Sequence, residues 1–162
     1  FYLGIKNVQW VDISYFRKVK MSNVQNAPLR KNAKIWKPQP VKGVSLTARE
    51  FLKRLRIDPT IVVIDVRSEK EYLQDKSVNL NHPRVNIPWI AFLGERGRPN
   101  PEIKTTLLGL NISKESKIVL LSNQGLRSSA ATMALLSLGF TNSTHLPGGF
   151  QELSATHRPG FR

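Results

Sequence analysis

The sequence predicts an α/β domain, a single parallel sheet with helices on both faces, preceded by an extended basic N-terminal arm. Three observations carry that prediction. Thr60-Ile61-Val62-Val63-Ile64-Asp65-Val66 and Lys117-Ile118-Val119-Leu120-Leu121 are short apolar runs rich in branched residues, the pattern of strands buried on both faces. The second run passes through a short polar loop into Ser128–Leu138, where Ala131, Ala134, Leu135 and Leu138 recur at helical spacing and Gly139 follows as a stop. Strand-like stretches near 61–66, 85–87, 117–121 and 144–146 alternate with helical ones, the order of a parallel sheet. The expected division is an arm over 1–43, a domain over 44–155 and a basic tail over 156–162.

The arm comes first. Ala27-Pro28 and Lys37-Pro38-Gln39-Pro40 break regular structure. Trp10, Tyr15, Phe16 and Trp36 stand among scattered lysines and arginines. In one reading Arg17, Lys18, Lys20, Arg30, Lys31, Lys34 and Lys37 touch phosphates, and Trp10 and Trp36 anchor on RNA bases or in a protein groove. In the other, the aromatics pack back on the domain and the charges are solvated.

The domain then opens on a helix at Leu46–Phe51. Thr47 and Glu50 have capping-box spacing and Leu46 and Phe51 have staple spacing. Leu52 and Leu55 continue its apolar side, while Arg49, Lys53, Arg54 and Arg56 make the other side basic. After the 60–66 strand, Ser68 and Glu71 repeat the capping spacing and start a short helix through Tyr72-Leu73. Val85-Asn86-Ile87 reads as a short strand, and Asn100-Pro101 as the N-cap and first-turn proline of a helix carrying Ile103, Leu107 and Leu108. Beyond Gly139, Thr144-His145-Leu146 is the last strand, Pro147-Gly148-Gly149 a turn, and Phe150–Leu153 a final helical turn.

The loop Ser122-Asn123-Gln124-Gly125-Leu126-Arg127 joins the central strand to its helix. Backbone N–H groups and the positive end of the helix dipole converge there, Arg127 adds a cation, and Gly125 lets the backbone curl. The expectation is a cradle for a small anion centred on Ser122. A serine needs a base to become a nucleophile, and no His, Asp or Glu lies between Lys117 and Gly139. Asp65 is the nearest candidate by topology, at the strand end where open α/β sheets place ligands. A structural ion pair with Arg67 is the competing reading.

The loop resembles the active-site loop of rhodanese-like sulfurtransferases, a cysteine, two residues, glycine, one residue, arginine and serine. Gly125, Arg127 and Ser128 match; Ser122 stands in place of the cysteine. Ile64-Asp65-Val66-Arg67 with Glu71-Tyr72 resembles the family's Asp-x-Arg stretch, Asn86-Ile87-Pro88 its Asn-Ile-Pro, and Thr141–Phe150 its closing segment. Asn81-His82-Pro83-Arg84 departs from the usual Gly-His-x-Pro-Gly segment. The resemblance spans roughly Val44 to Leu153 and implies a single rhodanese-like domain in which Asp65 and Arg67 support the site. It also implies that no catalytic residue remains. Sulfane sulfur is carried as a persulfide on a thiolate, and Ser122 is a vestigial nucleophile position.

Composition narrows the rest. There is no cysteine in the 162 residues, which excludes disulfides, cysteine–metal sites and thiol catalysis. His82, His145 and His157 lack metal-ligand spacing, so neither a metal nor a cofactor is expected. No apolar run is long enough to span a bilayer. The net charge is +14, from 25 basic and 11 acidic residues. Residues 1–58 hold 13 basic and 3 acidic side chains, a net of +10, and 59–162 hold 12 and 8, a net of +4. Charge concentrated at one end predicts a polyanion partner. The functional expectation is a non-catalytic, structural, RNA-contacting subunit of a large ribonucleoprotein such as a mitochondrial ribosome, meeting RNA or neighbouring subunits through the arm. The alternatives are a partner-binding subunit of an organellar membrane or respiratory complex, and an anion-binding or sulfurtransferase-related enzyme. Phe1 in place of a start methionine is compatible with a removed targeting segment. Localisation is therefore expected to be mitochondrial, with the chloroplast as alternative.

Overall fold

A computed structural model of the chain describes residues 44–75 and 78–156. Within them, β1 (Val62–Asp65), β2 (Arg84–Asn86), β3 (Ile118–Leu121) and β4 (Ser143–His145) form one sheet in the order β2-β1-β3-β4, every pair parallel. The helices are α1 (Ala48–Ile57), α2 (Glu69–Gln74), α3 (Ile103–Gly109), α4 (Leu126–Ser137) and α5 (Gly149–Thr156). This is the α/β architecture the sequence predicts. The arm residues Trp10, Arg17, Lys18, Lys20, Arg30, Lys31, Lys34, Trp36 and Lys37 lie outside the described residues, as do 157–162 of the tail.

Both faces of the sheet are covered because successive side chains of a strand point to opposite faces. Ile64, Ile118 and Leu120 pack on one side with Ile103 and Leu107 of α3, Ala131, Ala134 and Leu135 of α4, and Phe92 and Phe140. Val63, Val119 and Leu121 pack on the other with Phe51 of α1, Phe150 and Leu153 of α5, and Leu146. All four residues of β3 are buried, as its unbroken apolar run requires.

Local chemistry sets the helix ends. Glu50 N–H donates to Thr47 Oγ1 at 3.2 Å and Thr47 N–H to Glu50 Oε2 at 2.9 Å, a complete capping box on α1. Ser68 and Glu71 repeat it on α2. Gly139, at φ +92°, closes α4. Its N–H donates to Leu136 O and that of Phe140 to Leu135 O, the paired bonds of a Schellman stop. Asn111, at φ +60°, ends α3 in the same way, with Ile112 N–H on Leu107 O. Two elements differ from expectation. Asn100 Oδ1 accepts the Glu102 N–H at 3.1 Å, but Pro101-Glu102 forms a turn, so α3 starts at Ile103. The final segment is longer than one turn. Glu152 of α5 accepts the Ala48 N–H at 3.1 Å, an anchoring contact 104 residues away in sequence that no local pattern carries.

β4 is partly covered at its outer edge by Val44–Leu46. Leu46 N–H donates to His145 O at 2.9 Å and His145 N–H to Val44 O at 3.0 Å. The His145 side chain is buried there, with Nε2 3.4 Å from Ser45 Oγ and Nδ1 without a partner. Burial disfavours the imidazolium and pulls its pKa from 6.5 to about 4. The unfolded chain then binds the extra proton between those values. The neutral ring's contribution is whole above pH 6.5 and is lost as pH falls toward 4. Between pH 7 and pH 5 the protein is expected to lose about 2 kcal/mol more stability than a His145→Gln variant. Urea unfolding at the two pH values measures it, and equal losses would contradict the buried neutral imidazole.

Candidate functional site

The site lies where β3 ends, between the strand and the first turn of α4. Leu121 is the last residue of β3 and Ser122 follows it, 1% exposed. Ser122 Oγ accepts the Gly125 N–H at 3.1 Å and the Ser128 N–H at 3.2 Å. Its own proton goes to Ser128 Oγ at 3.1 Å, and Ser128 in turn donates to the Gly125 carbonyl at 3.1 Å. The hydroxyl thus ties both ends of the loop together and hands its proton to another hydroxyl, not to a base.

The segment Pro147–Gly149 presses on this loop. Gly125 has φ +86°, and a Cβ there would stand 2.0 Å from the Pro147 carbonyl oxygen. A Cβ on Gly149, at φ +55°, would stand 2.0 Å from the Ser122 carbonyl oxygen. The first turn of α5 then caps the loop's carbonyls: Phe150 N–H donates to Ser122 O at 3.0 Å and Gln151 N–H to Asn123 O at 3.2 Å. Both glycines are required because two backbones meet here.

The remaining loop residues divide by exposure. Asn123, Gln124 and Leu126 are exposed, and Arg127 is half-buried. Arg127 makes a two-pronged ion pair with Glu71, both bonds at 2.7 Å. The Arg127 bonds, with those from Ser68, bring the Glu71 carboxyl down to about 2. The cradle expected from sequence is therefore partly filled from within. Two of its N–H groups hold Ser122 Oγ, and its cation is matched by a carboxylate.

Asp65 and Arg67 sit beside the loop at the end of β1, both buried. Arg67 Nη2 and Nε reach the Asp65 carboxylate at 2.8 and 3.1 Å, and Nη1 bonds Asp75. Burial opposes the Arg67 charge, and the bonds to Asp65 and Asp75 outweigh it and raise its pKa. Its guanidinium lies 3.9 Å from the centre of the Phe150 ring, and Arg84 lies 5.2 Å from the same ring and 3.7 Å from Asp65. Asn86 Nδ2 donates to the carbonyls of Asp65 and Arg67 at 3.0 and 2.9 Å, fixing the chain as it leaves β1. The Asp65 carboxylate is thus engaged by Arg67 and Arg84, and the hydroxyl of Ser122 bonds to Ser128. Sequence reading missed Ser128 as that acceptor, Glu71 as the partner of Arg127, and Arg84 as a third charge. The Glu71-Tyr72 pair was visible, but its capping spacing explained it without the arginine.

Among the described residues, no group of His, Cys, Asp and Glu could hold a metal ion, and no helix is long and apolar enough to cross a membrane. The profile of the rhodanese-like domain matches residues 47–156. The mouse thiosulfate sulfurtransferase/rhodanese-like domain-containing protein 3 is 35% identical over 112 residues, covering 68% of this chain and 67% of that protein. A human single-domain sulfurtransferase superposes with a TM-score of 0.55 at 21% identity, over 70% of this chain and 97% of its own. A single-domain sulfurtransferase from Saccharomyces cerevisiae gives 0.53 at 21%, over 74% and 95%. These two structures bear on the fold alone.

If Ser122 is a fastener, Ser122→Ala leaves two buried N–H groups without acceptors and costs about 2–4 kcal/mol of stability. Gly125→Ala is expected to cost at least as much, from the left-handed backbone and the Pro147 contact. Denaturant unfolding reads both, and a loss below about 1 kcal/mol for Ser122→Ala would remove the fastening role.

Proposed function

The chain belongs to the rhodanese-like domain family, and we propose that it is a non-catalytic member that serves as a structural, RNA-contacting subunit of a large ribonucleoprotein such as a mitochondrial ribosome. The observation that supports the loss of chemistry is the bonding of Ser122. The family's catalytic cysteine is absent, and the oxygen in its place is buried and bonded to Gly125, Ser128 N–H and Ser128 Oγ. An alkoxide there would need a base, and a hydroxyl cannot carry sulfane sulfur as a persulfide. The support for RNA is electrostatic. Thirteen of the 25 basic side chains lie in residues 1–58 against three acidic ones, a density that favours a line of phosphates. Contact through the arm residues Arg17–Lys37 and the mitochondrial setting are parts of the same proposal.

A thiosulfate sulfurtransferase assay is expected to read zero. An RNA-binding titration is expected to weaken steeply with salt and further when residues 1–43 are removed. Turnover, or a sulfur adduct found by mass spectrometry on Ser122, overturns the non-catalytic half; salt-independent binding overturns the RNA half.

Anion binding at the loop remains within this proposal in a restricted form, because Glu71 already occupies Arg127. Replacing Glu71 with Gln frees the guanidinium. About 10 mM sulfate is then expected to raise the thermal midpoint of Glu71→Gln more than that of the parent protein. An equal response in both proteins contradicts the competition.

A further inference from the structure

The exposed side of α1 carries Arg49, Lys53, Arg54 and Arg56, and none of them is in an ion pair among the described residues. Arg54 feels Glu50 only at a distance. Glu50 itself is taken up in the capping box with Thr47. Arg49, Lys53 and Arg56 are four and three residues apart, so they line one side of the helix over about 10 Å.

Helix stability accounts for only part of this stripe. Arg54 and Arg56 lie in the last turn, where the dipole favours cations. Arg49 lies in the first turn, at the end that disfavours them, and Arg49 with Lys53 is a like-charge pair at i, i+4, which destabilises a helix. Arg49 and its repulsion with Lys53 therefore oppose the helix, while Arg56 favours it.

The second observation is a groove at the C-terminal end of α1, lined by Arg54 and by none of the three residues of the stripe. It has a volume of about 500 Å³ and runs between the end of α1 and the starts of β3 and β4. Arg54 and Ile57 line one wall, Ile61 and Val119 are apolar lining, and Asn142 and Thr144 are polar. Ile57 is 71% exposed at its rim. The groove stands at the opposite end of the strands from Ser122, and its cation Lys117 is paired with Asp58 at 2.6 Å.

We propose that α1 and this groove form a binding site for single-stranded RNA, with phosphates on Arg49, Lys53 and Arg56 and a base in the groove beside Arg54. Single strands present a charged backbone and a free base together, which a duplex does not. A row of cations on α1, with an apolar slot with polar edges at the C-terminal end of the same helix, matches both parts. Insertion of α1 into an anionic membrane would need an apolar helix face, and that face is buried through Ala48 and Phe51. This site rests on the RNA-binding reading above and places contacts on the folded domain, apart from the arm.

The test uses the full chain and a fluorescent single-stranded oligoribonucleotide of mixed sequence. Arg49→Gln/Lys53→Gln/Arg56→Gln is expected to weaken binding about tenfold or more and to flatten the slope of log affinity against log salt by about 2, from three lost phosphate contacts. Its thermal midpoint is expected to change little, because the Arg49–Lys53 repulsion and the favourable placing of Arg56 at the helix end are removed together; a clear fall assigns the stripe to structure and overturns the site. Arg54→Ala alone is expected to reduce affinity with a smaller change in slope. If the parent binds RNA and the triple variant binds equally, the site is wrong while the RNA reading stands. If the parent binds no RNA, both fail. If poly-glutamate or anionic vesicles compete as well as RNA, the assignment to RNA is overturned.

Discussion

One buried hydroxyl holds the C-terminal edge of the sheet together. Ser122 Oγ gathers the N–H groups of Gly125 and Ser128 and passes its proton to Ser128. The turn this creates is tight enough that only glycine fits at 125 against Pro147 and at 149 against Ser122. α5 then begins by donating to the carbonyls of Ser122 and Asn123, and Glu152 one turn later reaches the start of α1. The loop, the closing segment and the first helix are thus linked in one chain of hydrogen bonds. Any chemistry at Ser122 would have to break it, and partly exposed groups such as Glu71 and Arg127 provide no replacement acceptor for those amides.

Charge is handled in opposite ways at the two ends of the strands. At the C-terminal end, Asp65, Arg67, Asp75, Arg84, Glu71 and Arg127 answer one another, several of them out of water. Buried pairs of this kind contribute little net stability but make the loss of one partner costly. They fix geometry, and they leave little net field for an incoming anion. At the other end the cations of α1 are exposed and without an ion-pair partner among the described residues, and one of them, Arg54, lines an apolar groove. The proposed contact with a polyanion rests on this contrast between a neutralised end and a charged one.

Much of the fold was legible from local pattern. The β1 and β3 runs had to be buried strands because they carry branched apolar residues on both faces. Thr47/Glu50 and Ser68/Glu71 marked two helix starts by spacing alone. The start of α3 was displaced because Asn100 caps a proline-led turn before the helix. α5 was underread because its anchors, Ala48 and the Ser122 carbonyl, are distant in sequence. In the site, the position of Ser122 and the need for Gly125 could be read from the loop itself. The neutralisation of Arg127 could not, since Glu71 lies 56 residues away and its capping role was already sufficient. Arg84 was hidden for the same reason: nothing local to β2 reveals that it faces Asp65 and Phe150.

Hydrogen exchange of individual loop amides tests the fastening of Ser122 most directly. The amides of Gly125 and Ser128 should exchange as slowly as those of β3, because each is buried and bonded to the same oxygen. If they exchange as quickly as the amides of surface turns, the hydroxyl is free to act elsewhere, and the account of Ser122 as structure in place of chemistry is wrong.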